Sequence, residues 1–323
     1  MSRIHDALKK AEQERIGVAA TEGAVPVPQQ DGSEPALTEE APVAVATRES
    51  SADSSVSSPL LASQEYFHFD DLMARCTHPR WQFDPNVNVF STGVNSRGAE
   101  RFRTLRSRLY QLRNNQPLRT ILITSAVPAE GKTFVAGNLA QAIVRQPDRR
   151  ALLIDADLRC ARLHLPFGAP ASPGLADYLQ GKADEDAIIQ CGGDANLCLI
   201  PGGNEVTNPS ELLSNGRLST LLNRVGSVFD WIILDSPPCL PVADSTILAD
   251  LCDAVLLVVR AGVTPSDVAQ RALQELRNRT IAGVVLNAVD EGHTYGSYYY
   301  GAYGEYAEPR LVEKVAISAS SRV

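Results

Sequence analysis

Gly131-Lys132-Thr133 follows an apolar run, Thr120–Thr124, and precedes a helical pattern that is predicted to run to Pro147. The order is strand, loop, helix. The loop AVPAEGKT over 126–133 matches G-x-x-x-x-G-K-[ST] except that Ala126 replaces the first glycine. The chemistry of such a loop is phosphate binding. Its backbone N–H groups and the start of the next helix point at phosphate oxygens. Gly131 allows close approach, Lys132 reaches the β/γ-phosphates, and the Thr133 hydroxyl can ligate Mg²⁺. The expected ATP site is therefore Ala126, Val127, Pro128, Ala129, Glu130, Gly131, Lys132, Thr133 and Phe134.

Two further apolar runs end in carboxylates. Leu152-Leu153-Ile154 leads into Asp155 and Asp157, and Trp231-Ile232-Ile233-Leu234 leads into Asp235. Ligands of open α/β sheets sit outside the carboxyl ends of the strands, so the three aspartates should converge on the phosphate loop. Thr133, Asp155, Asp157 and Asp235 are the expected Mg²⁺ residues. One aspartate could accept a proton from an attacking hydroxyl, and Lys132 would complete the catalytic set.

An acceptor is visible near the end of the chain. Six of the nine tyrosines fall within twelve residues: Tyr295, Tyr298, Tyr299, Tyr300, Tyr303 and Tyr306. A base-stacking platform would interleave Arg or Lys, but residues 295–308 hold none and carry two glutamates. Spacer glycines and acidic flanks suit phospho-acceptors. Each phosphate would add about −1.5 to −2 charge, and several together would repel one another.

These residues need a scaffold that brings strand ends together. Apolar runs at Thr120–Thr124, Ala151–Asp155, Leu197–Ile200, Trp231–Asp235, Ala254–Val259 and Ala282–Leu286 alternate with helical patterns. That alternation predicts an α/β domain of the P-loop NTPase type. It is a doubly wound, mostly parallel sheet with helices on both faces, spanning 85–290. Residues 98–113 read as a basic amphipathic helix. Residues 1–16 read as a short amphipathic helix, 17–84 as a disordered linker rich in Ala, Pro, Ser and Glu, and 291–323 as a flexible tail. The net charge of −8 argues against a broad nucleic-acid surface. The six cysteines lack metal-knuckle spacing and read as reduced thiols. No apolar run approaches the ~18 residues of a membrane span. The expectation is a cytoplasmic protein, held at the inner membrane face by a partner.

Taken in order, these segments resemble the bacterial tyrosine kinases (BY-kinases) of exopolysaccharide and capsule synthesis in their split cytoplasmic form. Glu100-Arg101-Phe102-Arg103-Thr104-Leu105-Arg106 is similar to the family's E-x-x-R-x-x-R helix. Residues 123–139, 152–159 and 231–238 resemble its Walker A, A′ and B segments. GLADYLQG at 174–181, NPSELL at 208–213 and the tyrosine cluster add to the match. Residues 3–15 resemble the start of kinases from exosortase-linked polysaccharide clusters.

The resemblance implies ATP–Mg²⁺ at Lys132 and Thr133, and metal organisation by Asp155, Asp157 and Asp235. Asp155 is the preferred base and Asp157 the alternative. Glu100, Arg103 and Arg106 would be subunit contacts of a homo-oligomeric ring in which one tail enters its neighbour's site. It further implies a membrane-spanning polysaccharide copolymerase (chain-length modulator) as activator and a protein-tyrosine phosphatase as antagonist. Ala129 and Cys160-Ala161 depart from the family pattern without removing a catalytic group. Two other readings share the fold: a partition or cell-division ATPase switch, and a weakly catalytic ATP-binding scaffold. Val127 disfavours the switch, because it stands where the signature lysine of those ATPases would fall.

Overall fold

The computed structural model describes residues 68–91, 96–193 and 196–289. The expected helix over 1–16 and the tyrosine tail lie outside the described residues. Seven strands form one sheet in the order β3-β4-β2-β5-β1-β6-β7. They are β1 (Thr120–Ser125), β2 (Ala151–Asp155), β3 (Gln190–Cys191), β4 (Leu197–Ile200), β5 (Trp231–Asp235), β6 (Ala254–Arg260) and β7 (Ile281–Asn287). All neighbours pair in parallel except β3 with β4.

The apolar runs are continuous because both faces of the sheet are covered. Alternate side chains enter two separate cores. Leu122, Leu152, Ile154, Ile232 and Leu234 enter one. Ile121, Ile123, Leu153, Trp231 and Ile233 enter the other. Period-2 alternation thus divides one hydrophobic run between two layers.

Helices Phe69–Arg75 (α1), Arg97–Arg113 (α2) and Lys132–Val144 (α3) come first. Helix α2 is capped by the Ser96 hydroxyl, which accepts from the Ala99 N–H at 3.1 Å. It packs on α3 through an edge-to-face contact of Phe102 with Phe134, centroids 5.8 Å apart. Helix α3 stops at Val144, short of the expected Pro147. A residue preceding proline is disfavoured in helical geometry, so the chain leaves the helix before it.

Two expectations are corrected. The linker drawn over 17–84 does not extend through 68–84. Leu72 of α1 is fully buried, and Trp81 and Phe83 pack edge-on and tilted against Phe167 at 5.4 Å. A few well-spaced apolar residues in a polar stretch are enough to dock it. The reduced-thiol reading fails for Cys191 and Cys198. They face each other across the β3–β4 register, with Cα atoms 4.2 Å apart, and are joined in a disulfide. The pairing depends on a two-residue strand that has no sequence signature.

The central strands should set global stability. Leu153 is fully buried in the second core. Leu153→Ala should destabilise the domain by about 3 kcal/mol, read as a lower urea midpoint at unchanged slope.

Candidate active site

The strand order places the carboxyl ends of β1, β5 and β2 side by side. The phosphate loop leaves β1, and Gly131 caps α3 with a left-handed φ of 92°. A Cβ at Gly131 would stand 2.0 Å from Asn287 Nδ2, so glycine is required for space as well as for conformation. Lys132 Nζ lies 3.3 Å from Asp157 Oδ2, and both side chains are largely buried. The Thr133 hydroxyl lowers the proton affinity of Asp235.

Asp155 and Asp235 are direct register partners on β2 and β5. Asp155 is fully enclosed. Its Oδ2 accepts the Leu163 N–H at 2.9 Å and its Oδ1 accepts the Asp157 N–H at 3.2 Å. Asp157 is 6% exposed and Asp235 is 1% exposed. Burial, then the charge of Asp235, holds Asp155 well above the usual carboxylate range, and the two backbone donors offset only part of this. Burial likewise lifts Asp235 to about 7, against the opposing pull of Lys132 and the Thr133 hydroxyl.

One atom is left over. Asp235 Oδ1 is buried without a hydrogen-bond partner. A cation or a bound water would satisfy it. The donor set is hard oxygen, which suits Mg²⁺. Among the described residues, however, no group of three or more His, Cys, Asp or Glu side chains has metal-binding geometry. A cation here would take only some of its ligands from side chains, as Mg²⁺ normally does.

The expected residues Lys132, Thr133, Asp155, Asp157 and Asp235 are therefore brought together. The loop amides are not all available to phosphate, because the Val127 N–H is taken by the Glu130 carboxylate at 2.8 Å. On α2, Arg103 Nη1 pairs with Glu100 at 2.9 Å. Arg106 Nη1 instead donates to the Ala142 carbonyl of α3 within the same domain.

Several organising residues had no sequence signal of their own. Arg159 Nε and Nη2 grip Asp244 at 2.7 and 3.0 Å, and the Ser210 hydroxyl donates to the same carboxylate at 2.5 Å. Burial alone would raise the Asp244 pKa, but the Arg159 and Ser210 bonds hold it below the usual range. This knot ties the segment after β2 to NPSELL. Arg159 closes the 152–159 segment that resembles Walker A′, but nothing in that segment indicates its partners. An open depression of about 390 Å³, lined by Arg113, Leu118, Arg119 and Asp253, lies at the other end of β1 and takes no part in this site.

Comparison with known proteins follows the same lines. The chain is 33% identical over 217 residues to the tyrosine-protein kinase YwqD of Bacillus subtilis, covering 67% of this chain and 90% of YwqD. The chain belongs to the bacterial tyrosine-protein kinase family. The kinase domain of the Escherichia coli tyrosine kinase Etk superposes with a TM-score of 0.57 at 34% identity, covering 60% of this chain and 76% of that domain. The VpsO kinase domain gives a TM-score of 0.54 at 32% identity, over 58% of this chain and 93% of that domain. No family model matches. The match to EpsB of Ralstonia solanacearum, 36% identical over 214 residues, covers 64% of this chain but spans only 28% of that longer protein. The partition-ATPase reading is not favoured, since these relatives are tyrosine kinases. Among the described residues of this family member, no helix is long and apolar enough to cross a membrane.

The raised carboxylates have a pH signature. Asp235 binds its proton up to about pH 7 when folded but only to about 3.8 when unfolded. Between those values the folded state holds more protons, so stability falls as pH rises through that window. In metal-free protein, Asp235→Asn should raise the thermal midpoint at pH 8 by about 3 °C or more, with little change at pH 4. Thermal scans at the two pH values measure it. An equal shift at both would count against a titrating Asp235.

Proposed function

We propose that this chain is an ATP-dependent protein-tyrosine autokinase that regulates exopolysaccharide or capsule synthesis. It transfers the ATP γ-phosphate to tyrosines among 295–306, in trans between subunits. The observation that carries the reading is the ion pair of Lys132 with Asp157 beside the register pair Asp155 and Asp235, at one end of a kinase-family sheet.

Loop amides and Lys132 hold the β/γ-phosphates, and Lys132 neutralises charge that builds as the phosphoryl group moves. Thr133 and Asp235 would hold Mg²⁺, with Asp155 and Asp157 acting through water. When bound, Mg²⁺ would supply Lewis-acid neutralisation of phosphate charge. Asp157 takes the base role in preference to Asp155. Its side chain borders the Lys132 ammonium, whereas Asp155 is fully enclosed and both its oxygens accept backbone N–H groups. In the step, the tyrosyl oxygen bonds to phosphorus, the bond to ADP breaks, and the phenolic proton passes to Asp157. Asp155 orients the loop that carries Asp157.

Glu100 and Arg103 suit a subunit contact better than Arg106, which is spent on Ala142. A ring assembly, a membrane-spanning copolymerase as activator and a phosphatase as antagonist complete the reading. The phosphorylated tails would repel one another and loosen the assembly.

Incubation with ATP–Mg²⁺ and the activator's cytoplasmic segment, followed by mass spectrometry, tests the proposal. Phosphate should map within Tyr295–Tyr306 and fall by about 100-fold or more in Lys132→Met. ATP hydrolysis without phosphotyrosine would refute the kinase reading.

Replacing all six tail tyrosines by Phe should remove most autophosphorylation and leave ATP affinity intact. Unchanged phosphotyrosine in that variant would rule out the tail as acceptor. Asp157→Asn should lower the rate more than Asp155→Asn, and the reverse order would return the base role to Asp155.

A further inference from the structure

Glu130 is an odd residue for a phosphate loop. A carboxylate there should repel the ligand, yet it is 2% exposed and therefore enclosed by design of the fold. Its oxygens point to two places. Oε2 accepts the Val127 N–H from inside the loop at 2.8 Å. Oε1 accepts the Thr264 hydroxyl and, at 3.3 Å, the Arg260 N–H, both beyond the last buried residues of β6. The backbone around it is tied down as well. Asn287 Nδ2 of β7 donates to the Glu130 carbonyl at 2.9 Å, and Arg260 Nη1 donates to the Ala129 carbonyl at 3.3 Å.

The loop needs such a hold. Ala129, immediately before Glu130, has a φ of 65°, and Gly131, immediately after, has a φ of 92°. For glycine this conformation is free, but for alanine it is costly. A left-handed alanine persists only where its surroundings enforce it. The enforcing group is Glu130, whose two oxygens bridge the loop to the end of β6.

We propose that Glu130 is a positioning residue, a latch that fixes the phosphate loop to the ends of β6 and β7 in its binding-competent shape. It makes no contact with phosphate itself. Thr264 and Asn287 are the other halves of the latch. The inference rests on the ATP-binding reading above, and it assigns to 260–264 and 287 a part in nucleotide affinity that their sequence does not announce.

The experiment uses the full chain, a fluorescent ATP analogue for affinity, autophosphorylation for rate, and thermal unfolding for fold. Glu130→Gln keeps the shape but replaces one acceptor oxygen with a donor, so either the Val127 N–H or the Arg260 N–H loses its partner. Affinity should fall about tenfold or more, as for the loss of a charged hydrogen bond. The loss should appear in Kd and KM rather than in kcat at saturation. Thr264→Val should weaken binding in the same way, and the double variant should lose less than the product of the two single losses.

The discriminating arm is Ala129→Gly in the Glu130→Gln background. Glycine removes the cost of the left-handed residue, so it should restore about fivefold of the lost affinity. A residue that matters only for folding would not be rescued there. Wild-type affinity in Glu130→Gln, or no rescue by Ala129→Gly, overturns the latch while leaving the kinase reading intact. A wild-type chain that fails to bind the analogue overturns both.

Discussion

Three carboxylates share one lysine at the ends of two adjacent strands, and the rest of the architecture answers to that constraint. Parallel pairing of β2 with β5 sets Asp155 directly beside Asp235. Asp157 lies two residues further on, against Lys132. With all groups ionised, three negative charges and one positive would be enclosed together. Low-dielectric surroundings make that expensive, and burial accordingly raises the proton affinity of Asp235 and Asp155. Asp155 is partly relieved by two backbone donors, while Asp235 keeps an oxygen with no donor at all. The site is thus built short of positive charge. A divalent cation with its phosphates would supply the missing ligand and the missing charge together.

That constraint explains the strength of the scaffold. Charges so placed are tolerable only where strand ends cannot drift. The flanking strands supply this by sending alternate side chains into two separate cores. The Arg159–Asp244–Ser210 knot fixes the segment after β2 from the far side. Here a buried carboxylate is fully paired and its pKa is depressed. The contrast with Asp235 is instructive: the same residue type, equally buried, is finished in one place and left open in the other.

Much of this was legible in the sequence, for a physical reason. Strands buried on both faces must be continuously apolar, so the six expected runs appear as strands within about a residue of their predicted ends. The carboxyl-end rule then places Asp155, Asp157 and Asp235 at the loop from strand order alone. What failed to show was whatever depends on distant partners. Strand β3 has two residues and exists because Cys191 finds Cys198. Helix α1 exists because Leu72 finds a core. The family resemblance implied a subunit contact for Arg106, and only packing reveals that it donates to the Ala142 carbonyl. Asp244, Thr264 and Asn287 carry no local pattern. Asp244 opens a helix after β5, Thr264 follows β6 and Asn287 ends β7, and their roles arise from where the closed sheet brings them.

The loop itself shows how a motif can deviate without losing its chemistry. The first glycine of the pattern is Ala126, and a second departure, Ala129, takes a backbone conformation that suits glycine. A loop with fewer glycines has fewer ways to bend by itself, so its shape must be imposed from outside. Glu130 imposes it, and the electrostatic objection to a carboxylate in a phosphate loop then dissolves. Both oxygens are turned onto donors of the loop and of β6, so their charge is compensated by fixed N–H and O–H dipoles. What remains toward the ligand is Lys132 and the start of α3. The loop is therefore held by the strands on one side of β1 and charged by those on the other. Neither half of the sheet alone would suffice to hold a triphosphate beside an acceptor.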